Sequence, residues 1–192
     1  MPPEAAPGVV RTITLATADD TRALGAGLGR LLRAGDLLVM TGDLGAGKTT
    51  LTRGIGEGLG VRGPVTSPTF VIARVHPTLV GGPALVHVDA YRLGGRLELD
   101  DLDLDASLEQ SVTVVEWGHG VAEPLSEHRI EVVLQVHAAH EPVESAHEPV
   151  ESAEAGDDDA RTASITTVGA RWATASAAAA LDALVRCPGS PG

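Results

Sequence analysis

Apolar positions along the chain recur in two rhythms. Val9 to Leu15 (VVRTITL) alternate as in a strand, and Leu24, Leu28, Leu31 and Leu32 then follow at helical spacing. Thr17 to Asp20 offer that helix an N-cap, and Gly35 stops it. Leu37 to Met40 form a short apolar run suited to a buried strand, after which Leu51, Ile55 and Leu59 give a second helix one apolar face. Gly54, Gly56, Gly58 and Gly60 make that helix intrinsically poor, at about 1 kcal/mol each relative to Ala in a helix interior, so it must lean on tertiary packing. Further strands are expected at Val71 to Val75, at Ala84 to Val88 ending in Asp89, and at Val112 to Val115 ending in Glu116. An acidic, Leu-spaced stretch runs from Leu97 to Leu108. Arg129 to Val136 and Arg161 to Val168 read as a strand pair, and Ala173 to Val185 as a closing Ala-rich helix.

Between the apolar run and the second helix lies GDLGAGKTT, which fits G-x-x-x-x-G-K-[ST] in the strand-to-helix context that the pattern requires. Gly42, Gly45 and Gly47 let the backbone turn tightly and bring its N–H groups close to phosphate oxygens. Lys48 opens the helix, so the helix dipole and its unpaired N–H groups face the same anion. Its ammonium is expected to reach the β- and γ-phosphates, and the Thr49 hydroxyl to ligate Mg²⁺. The fold class that follows is α/β: a P-loop NTPase-like three-layer fold with a mostly parallel central sheet and a C-terminal β-hairpin and helix extension. GLGVRG, Gly58 to Gly63, formally matches G-x-G-x-x-G but follows a helix rather than a strand, and is a decoy.

Phosphoryl chemistry also needs a held metal ion and a positioned nucleophile. Asp89 and Glu116 are the best candidates, because each follows an apolar strand (VHVD and VTVVE) and strand ends are a recurrent place for active-site groups in α/β sheets. One would hold Mg²⁺ while the other orients the attacking water, and sequence leaves open which. Either carboxylate could instead make a structural ion pair or cap a turn. Ser67-Pro68-Thr69 is either a switch-like loop, with Thr69 sensing the γ-phosphate or the metal, or simply a turn entering a strand. Trp117 reads as a core residue before it reads as a partner of the nucleotide base. No N-K-x-D or L-S-G-G-Q signature is present, which by family pattern favours ATP over GTP and argues against a transporter ATPase.

Charge narrows the class further. The net charge of −12 argues against a protein that grips nucleic acid by itself. The charge is uneven: Ala139 to Ala160 hold eight acidic residues and no Lys or Arg, and the rest of the chain carries −4. Within that stretch AHEPVES occurs twice in tandem, at Ala139 to Ser145 and at Ala146 to Ser152, and reads as a solvated loop enlarging the hairpin, with His140 and His147 solvated rather than metal-bound. The expected organisation is a disordered terminus over 1–8, one ATPase domain over 9–186 with 137–160 a disordered acidic insertion, and a flexible tail over 187–192. A single cysteine, Cys187, excludes an internal disulfide framework. No apolar run approaches membrane-spanning length, so a cytoplasmic protein without a membrane is the expectation.

Taken together, GDLGAGKTT (Gly42 to Thr50), TSPTF (Thr66 to Phe70), VDAYRL (Val88 to Leu93) and VVEWG (Val114 to Gly118) resemble the TsaE family, also called YjeE, of bacterial ATPases in tRNA threonylcarbamoyladenosine synthesis. Order and spacing match from about Val9 to Val136 and again from about Arg161. The resemblance implies an ATP-binding α/β protein that works with TsaB-like and TsaD-like partners and reaches tRNA only through them. In that family TsaD transfers threonylcarbamoyl to adenosine 37 of tRNA, and the TsaE-like protein hydrolyses ATP to keep the complex cycling. By matching position, Gly45, Ala46, Gly47, Lys48, Thr49 and Thr50 would bind ATP, Thr49 and Glu116 would serve Mg²⁺, and Asp89 would assist at the metal or the water. Ser67 to Phe70 would form the switch-like loop, and Arg161 would lie near the nucleotide. Two other readings share these residues: a nucleotide-gated assembly factor with little hydrolysis, and a P-loop kinase of a small metabolite. The acidic duplication and the Ala-rich tail depart from the family and are expected to lie away from the site.

Overall fold

The computed structural model describes residues 8–102, 104–137 and 160–187. Expectations for 1–7, for the duplicated segment 138–159 and for 188–192 lie outside the described residues. Seven strands, β1 (Val10–Leu15), β2 (Leu37–Gly42), β3 (Ala73–His76), β4 (Ala84–Asp89), β5 (Ser111–Glu116), β6 (Arg129–Val136) and β7 (Arg161–Val168), form one sheet in the order β1-β7-β6-β2-β5-β4-β3. The central block β6-β2-β5-β4 is parallel, and antiparallel strands close both edges. Helices α1 (Ala18–Leu31), α2 (Lys48–Leu59) and α5 (Ala175–Arg186) cover one face. The short helices α3 (Arg96–Asp100) and α4 (Asp105–Leu108) belong to the other.

The two faces follow from strand periodicity. Leu38 and Met40 of β2, Leu85 of β4 and Val112 and Val114 of β5 point to the α1/α2 side, while Leu37, Val39, Val86, Val88 and Val115 point to the α3/α4 side. Continuing the alternation puts His87, Asp89 and Glu116 on the α2 side. The register pairs Asp89 with Glu116, so the ends of two neighbouring parallel strands deliver both carboxylates to one place. The phosphate loop leaves β2 at the same edge.

The glycines that make α2 a poor isolated helix are explained by its neighbour. A Cβ on Gly54 would stand 2.1 Å from the Arg22 carbonyl of α1, and one on Gly25 would stand 2.2 Å from the Leu51 carbonyl of α2. The helices therefore pack backbone to backbone. The start of α1 is sealed by a reciprocal capping box between Thr17 and Asp20.

Two expectations change in detail. β3 begins at Ala73 rather than Val71, because the N–H groups of Val71 and Ile72 both donate to the Pro68 carbonyl and hold a turn there. The acidic stretch Leu97 to Leu108 holds most of the two short helices. The closing helix starts at Ala175, capped by the Thr174 hydroxyl. β6 and β7 pair antiparallel as expected; Leu134 of β6 lies opposite Gly42 of β2, and the His137 N–H bonds the Ala160 carbonyl 2.8 Å away. Both attachment points of the acidic segment thus lie at the sheet edge that carries the phosphate loop. Among the described residues no helix is long and apolar enough to cross a membrane.

Candidate functional site

Gly47, at φ 98°, turns the chain into α2, whose first turn has neither a side-chain cap nor an acidic residue. That end opens on a cleft of about 400 Å³ lined by Gly45, Gly47, Lys48, Thr49 and Thr50, with Ser67, Thr69, Asp89, Tyr91, Glu116 and Trp117 opposite. An uncapped, positive helix end with glycine backbone before it is a fit for phosphate oxygens. Gly42 begins the turn at φ 148°, where a Cβ would meet the Leu134 carbonyl at 2.4 Å. Ala46 is fully buried beneath the loop.

Lys48 is buried, and its Nζ donates to the carbonyls of Gly42 and Asp43, each at 2.7 Å. The same ammonium sits 3.8 Å above the centre of the Trp117 ring. Burial holds its pKa below the ordinary lysine value, and the carboxylates of Glu116, Asp89 and Asp43 oppose that shift. Trp117 itself has φ 61°, an uncommon backbone for a bulky residue, and its ring also packs 5.1 Å from that of Tyr91. Trp117 thus takes both of its expected places in part: it lines the cleft, and its partly buried side chain packs against the core of the α3/α4 face.

Glu116 is 2% exposed at the end of β5. Its Oε1 accepts from the Thr49 hydroxyl at 3.0 Å, from the Thr52 hydroxyl at 3.4 Å and from Nε2 of His87 at 2.8 Å, and its Oε2 lies 3.1 Å from Thr49. Asp89 does two jobs. Oδ1 accepts from the Tyr91 N–H and caps the single turn Ala90–Arg92, while Oδ2 accepts from the hydroxyls of Ser67 and Thr69. The turn-capping alternative for Asp89 thus holds together with a place in the cleft. Its bonds to Ser67 and Thr69 attach the Ser67-Pro68-Thr69 loop to the site.

No cluster of three or more His, Cys, Asp or Glu capable of holding a metal alone occurs among the described residues. What converges instead is a hydroxyl and two carboxylates, all oxygen donors, which fits Mg²⁺ shared with substrate phosphates rather than caged by protein. Of the residues expected at the nucleotide, Gly45, Gly47, Lys48, Thr49, Thr50, Thr69, Asp89 and Glu116 line one cleft. Gly42 and Ala46 support the loop from behind. Arg161 is buried at the start of β7, with Cδ 3.6 Å and Nη1 3.8 Å from where a Cβ on Gly47 would stand, so it backs the loop rather than lining the cleft. Sequence reasoning passed over His87, Thr52 and Arg53. The signal for His87 was a single imidazole inside an otherwise apolar strand. Arg53 lines the cleft and donates from Nε to the Val65 carbonyl at 3.1 Å, tying α2 to the segment that leads to Ser67.

A family model described as threonylcarbamoyl adenosine biosynthesis protein TsaE matches residues 15–144. The chain is 58% identical over 157 residues to the tRNA threonylcarbamoyladenosine biosynthesis protein TsaE of Streptomyces coelicolor, covering 80% of this chain and 95% of that one. It is 36% identical over 155 residues to the protein of the same name from Bacillus subtilis, covering 80% and 84%. Among solved structures it is similar to the Bacillus subtilis protein YdiB, with TM-score 0.63, 29% identity and coverage of 93% and 96%.

Proposed function

Since the chain belongs to the TsaE family of tRNA threonylcarbamoyladenosine biosynthesis proteins, we propose that it is a Mg²⁺-dependent ATPase that supports threonylcarbamoylation of adenosine 37 together with TsaB-like and TsaD-like partners. The observation that carries this reading is the bond between the Thr49 hydroxyl, in the first turn of α2, and the buried carboxylate of Glu116. A hydroxyl that gives its proton to a carboxylate keeps its lone pairs for a cation.

In this reading the loop from Gly45 to Thr50 cradles the phosphates with backbone N–H groups, and Lys48 leaves the two loop carbonyls to meet the β- and γ-phosphates. Thr49 and Glu116 would hold Mg²⁺, with Asp89 at the metal or at the attacking water, and the ion would supply positive charge to offset the charge developing on the phosphate oxygens. Asp89 also links that chemistry to the Ser67-Pro68-Thr69 loop through two hydroxyl bonds. Those bonds favour a second reading, in which ATP occupancy sets the loop and hence assembly with the partners, and hydrolysis only resets it. A P-loop kinase has no comparable observation in its favour. The net charge of −12 agrees with contact to tRNA through partners rather than directly.

The test is the ATPase rate of the purified protein alone, with TsaB-like and TsaD-like proteins added, and with Lys48→Ala as control. Stimulation by the partners that disappears in Lys48→Ala supports the reading. Brisk hydrolysis that ignores the partners would point instead to an independent NTPase or kinase.

A further inference from the structure

Before Asp89 at its end, β4 is apolar along its buried length except at His87, which is 0% exposed. Burying an imidazole is costlier than burying Val or Leu at such a position, because each ring nitrogen left without a partner loses its hydration. Here Nδ1 has no hydrogen-bond partner among the described residues. The ring therefore makes one polar contact, Nε2 to Glu116 Oε1 at 2.8 Å. Glu116 lies diagonally across the β4/β5 ladder, since His87 is paired with Val114, two residues before it.

The other contacts of Glu116 come from two hydroxyls of α2. The Thr52 hydroxyl has one proton and lies 3.0 Å from the Lys48 carbonyl against 3.4 Å from Glu116, so it is spent within α2. Thr49 and His87 each give Glu116 a donor with no competing acceptor among the described residues, but Thr49 lines the cleft while His87 stands behind it in the strand. An ionised carboxylate only accepts, so the ring proton of this bond must be on Nε2.

We infer that His87 is a positioning residue: its Nε2–H holds Oε1 and so fixes the rotamer and orientation of the Glu116 carboxylate, leaving Oε2 to be presented to the metal. The inference rests on the Mg²⁺-ATP reading above. It assigns to a core strand residue the part that hydrogen-bonding partners of metal ligands commonly play, where replacement costs about 10–100-fold in metal affinity or activity.

The test compares His87→Gln, His87→Asn and His87→Leu in the full chain, with wild type alongside. The Gln amide nitrogen reaches about as far as Nε2, whereas the Asn amide stops short of it and Leu has no donor. Nucleotide affinity is measured in EDTA and across a Mg²⁺ titration, followed by KM and kcat with the partners present. The expected result is unchanged affinity in EDTA for all three variants, a Mg²⁺ midpoint and kcat near wild type for Gln, and losses of about 10–100-fold in both for Asn and Leu with KM for ATP little altered. If His87→Leu does not fold, the Gln and Asn pair still decides the matter. Equal behaviour of Gln and Asn, or a wild-type Mg²⁺ midpoint in Leu, would overturn the inference. A wild-type protein that binds no nucleotide in either condition would instead sink the functional reading on which it rests.

Discussion

The Thr49 hydroxyl lies 3.0 Å from Oε1 and 3.1 Å from Oε2 of Glu116, joining the first turn of α2 to the end of β5. One proton thus bridges the phosphate-binding helix and the carboxylate of a strand that is distant in sequence. Glu116→Gln keeps the shape but removes the negative charge and replaces one acceptor oxygen by an NH₂ group, which only donates. Nucleotide should still bind in EDTA, while Mg²⁺-dependent hydrolysis falls by about 10–100-fold or more. Paired equilibrium binding and steady-state assays check this, and equal losses in both would deny Glu116 its metal role. If the variant still supports one round of tRNA modification, occupancy rather than hydrolysis is what the partners sense.

Gly54 of α2 packs against the Arg22 carbonyl of α1, and that contact makes a prediction opposite to helix propensity. Propensity alone says Gly54→Ala gains about 1 kcal/mol. The new Cβ would stand 2.1 Å from a backbone oxygen that cannot swing away, so the helices must separate. Overpacking at about 1–3 kcal/mol, here at the upper end, outweighs the gain, and Tm should drop by several degrees. Gly82→Ala is the control, because a Cβ there meets nothing nearer than 3.9 Å. Thermal unfolding in which Gly54→Ala is the more stable variant would refute backbone-to-backbone packing.

What was legible follows from the range of the forces involved. The phosphate loop could be read because three glycines, a lysine and a threonine act through their own local backbone. The strands Arg129–Val136 and Arg161–Val168 appear at the expected residues because alternation along a half-buried hairpin is strict. Asp89 and Glu116 could be nominated singly as strand ends, but their adjacency depends on the parallel register of β4 and β5. The position of the Trp117 ring over Lys48 was hidden, since it follows from φ 61° at a residue whose local pattern does not ask for it. His87 was hidden for a related reason: only the register shows that its diagonal neighbour is a carboxylate.

His76 gives the fold a dependence on pH. It is buried on β3, Nε2 has no hydrogen-bond partner among the described residues, and desolvation lowers its pKa below 6.5, with the nearby His87 and Arg74 adding to the effect. Above the ordinary histidine value both folded and unfolded chains hold a neutral ring, and His76 contributes no slope. As pH falls through that value the unfolded chain takes up a proton that the folded chain refuses, so stability declines until the folded pKa is reached. Denaturant midpoints between about pH 7 and 5 should therefore fall more steeply in wild type than in His76→Leu. Parallel curves for the two proteins would remove His76 as the cause.

The acidic duplication is expected to lie away from the site, and its two attachment points stand at the edge of the sheet that carries the phosphate loop. Deleting residues 139–159 removes all eight of its carboxylates and leaves His137, Ala138 and Ala160 to join β6 to β7. Three-residue hairpin loops are common, so the fold should persist. The charge effect has a range set by salt, about 10 Å at 0.1 M and about 3 Å at 1 M. In low salt the deletion should tighten binding of the polyanionic nucleotide and speed its association, with the difference closing as salt is raised. Binding titrations at several ionic strengths check this. Identical affinities at every salt would put the carboxylates beyond screening range of the cleft, and a loss of affinity at high salt would mean that the segment contributes contacts of its own.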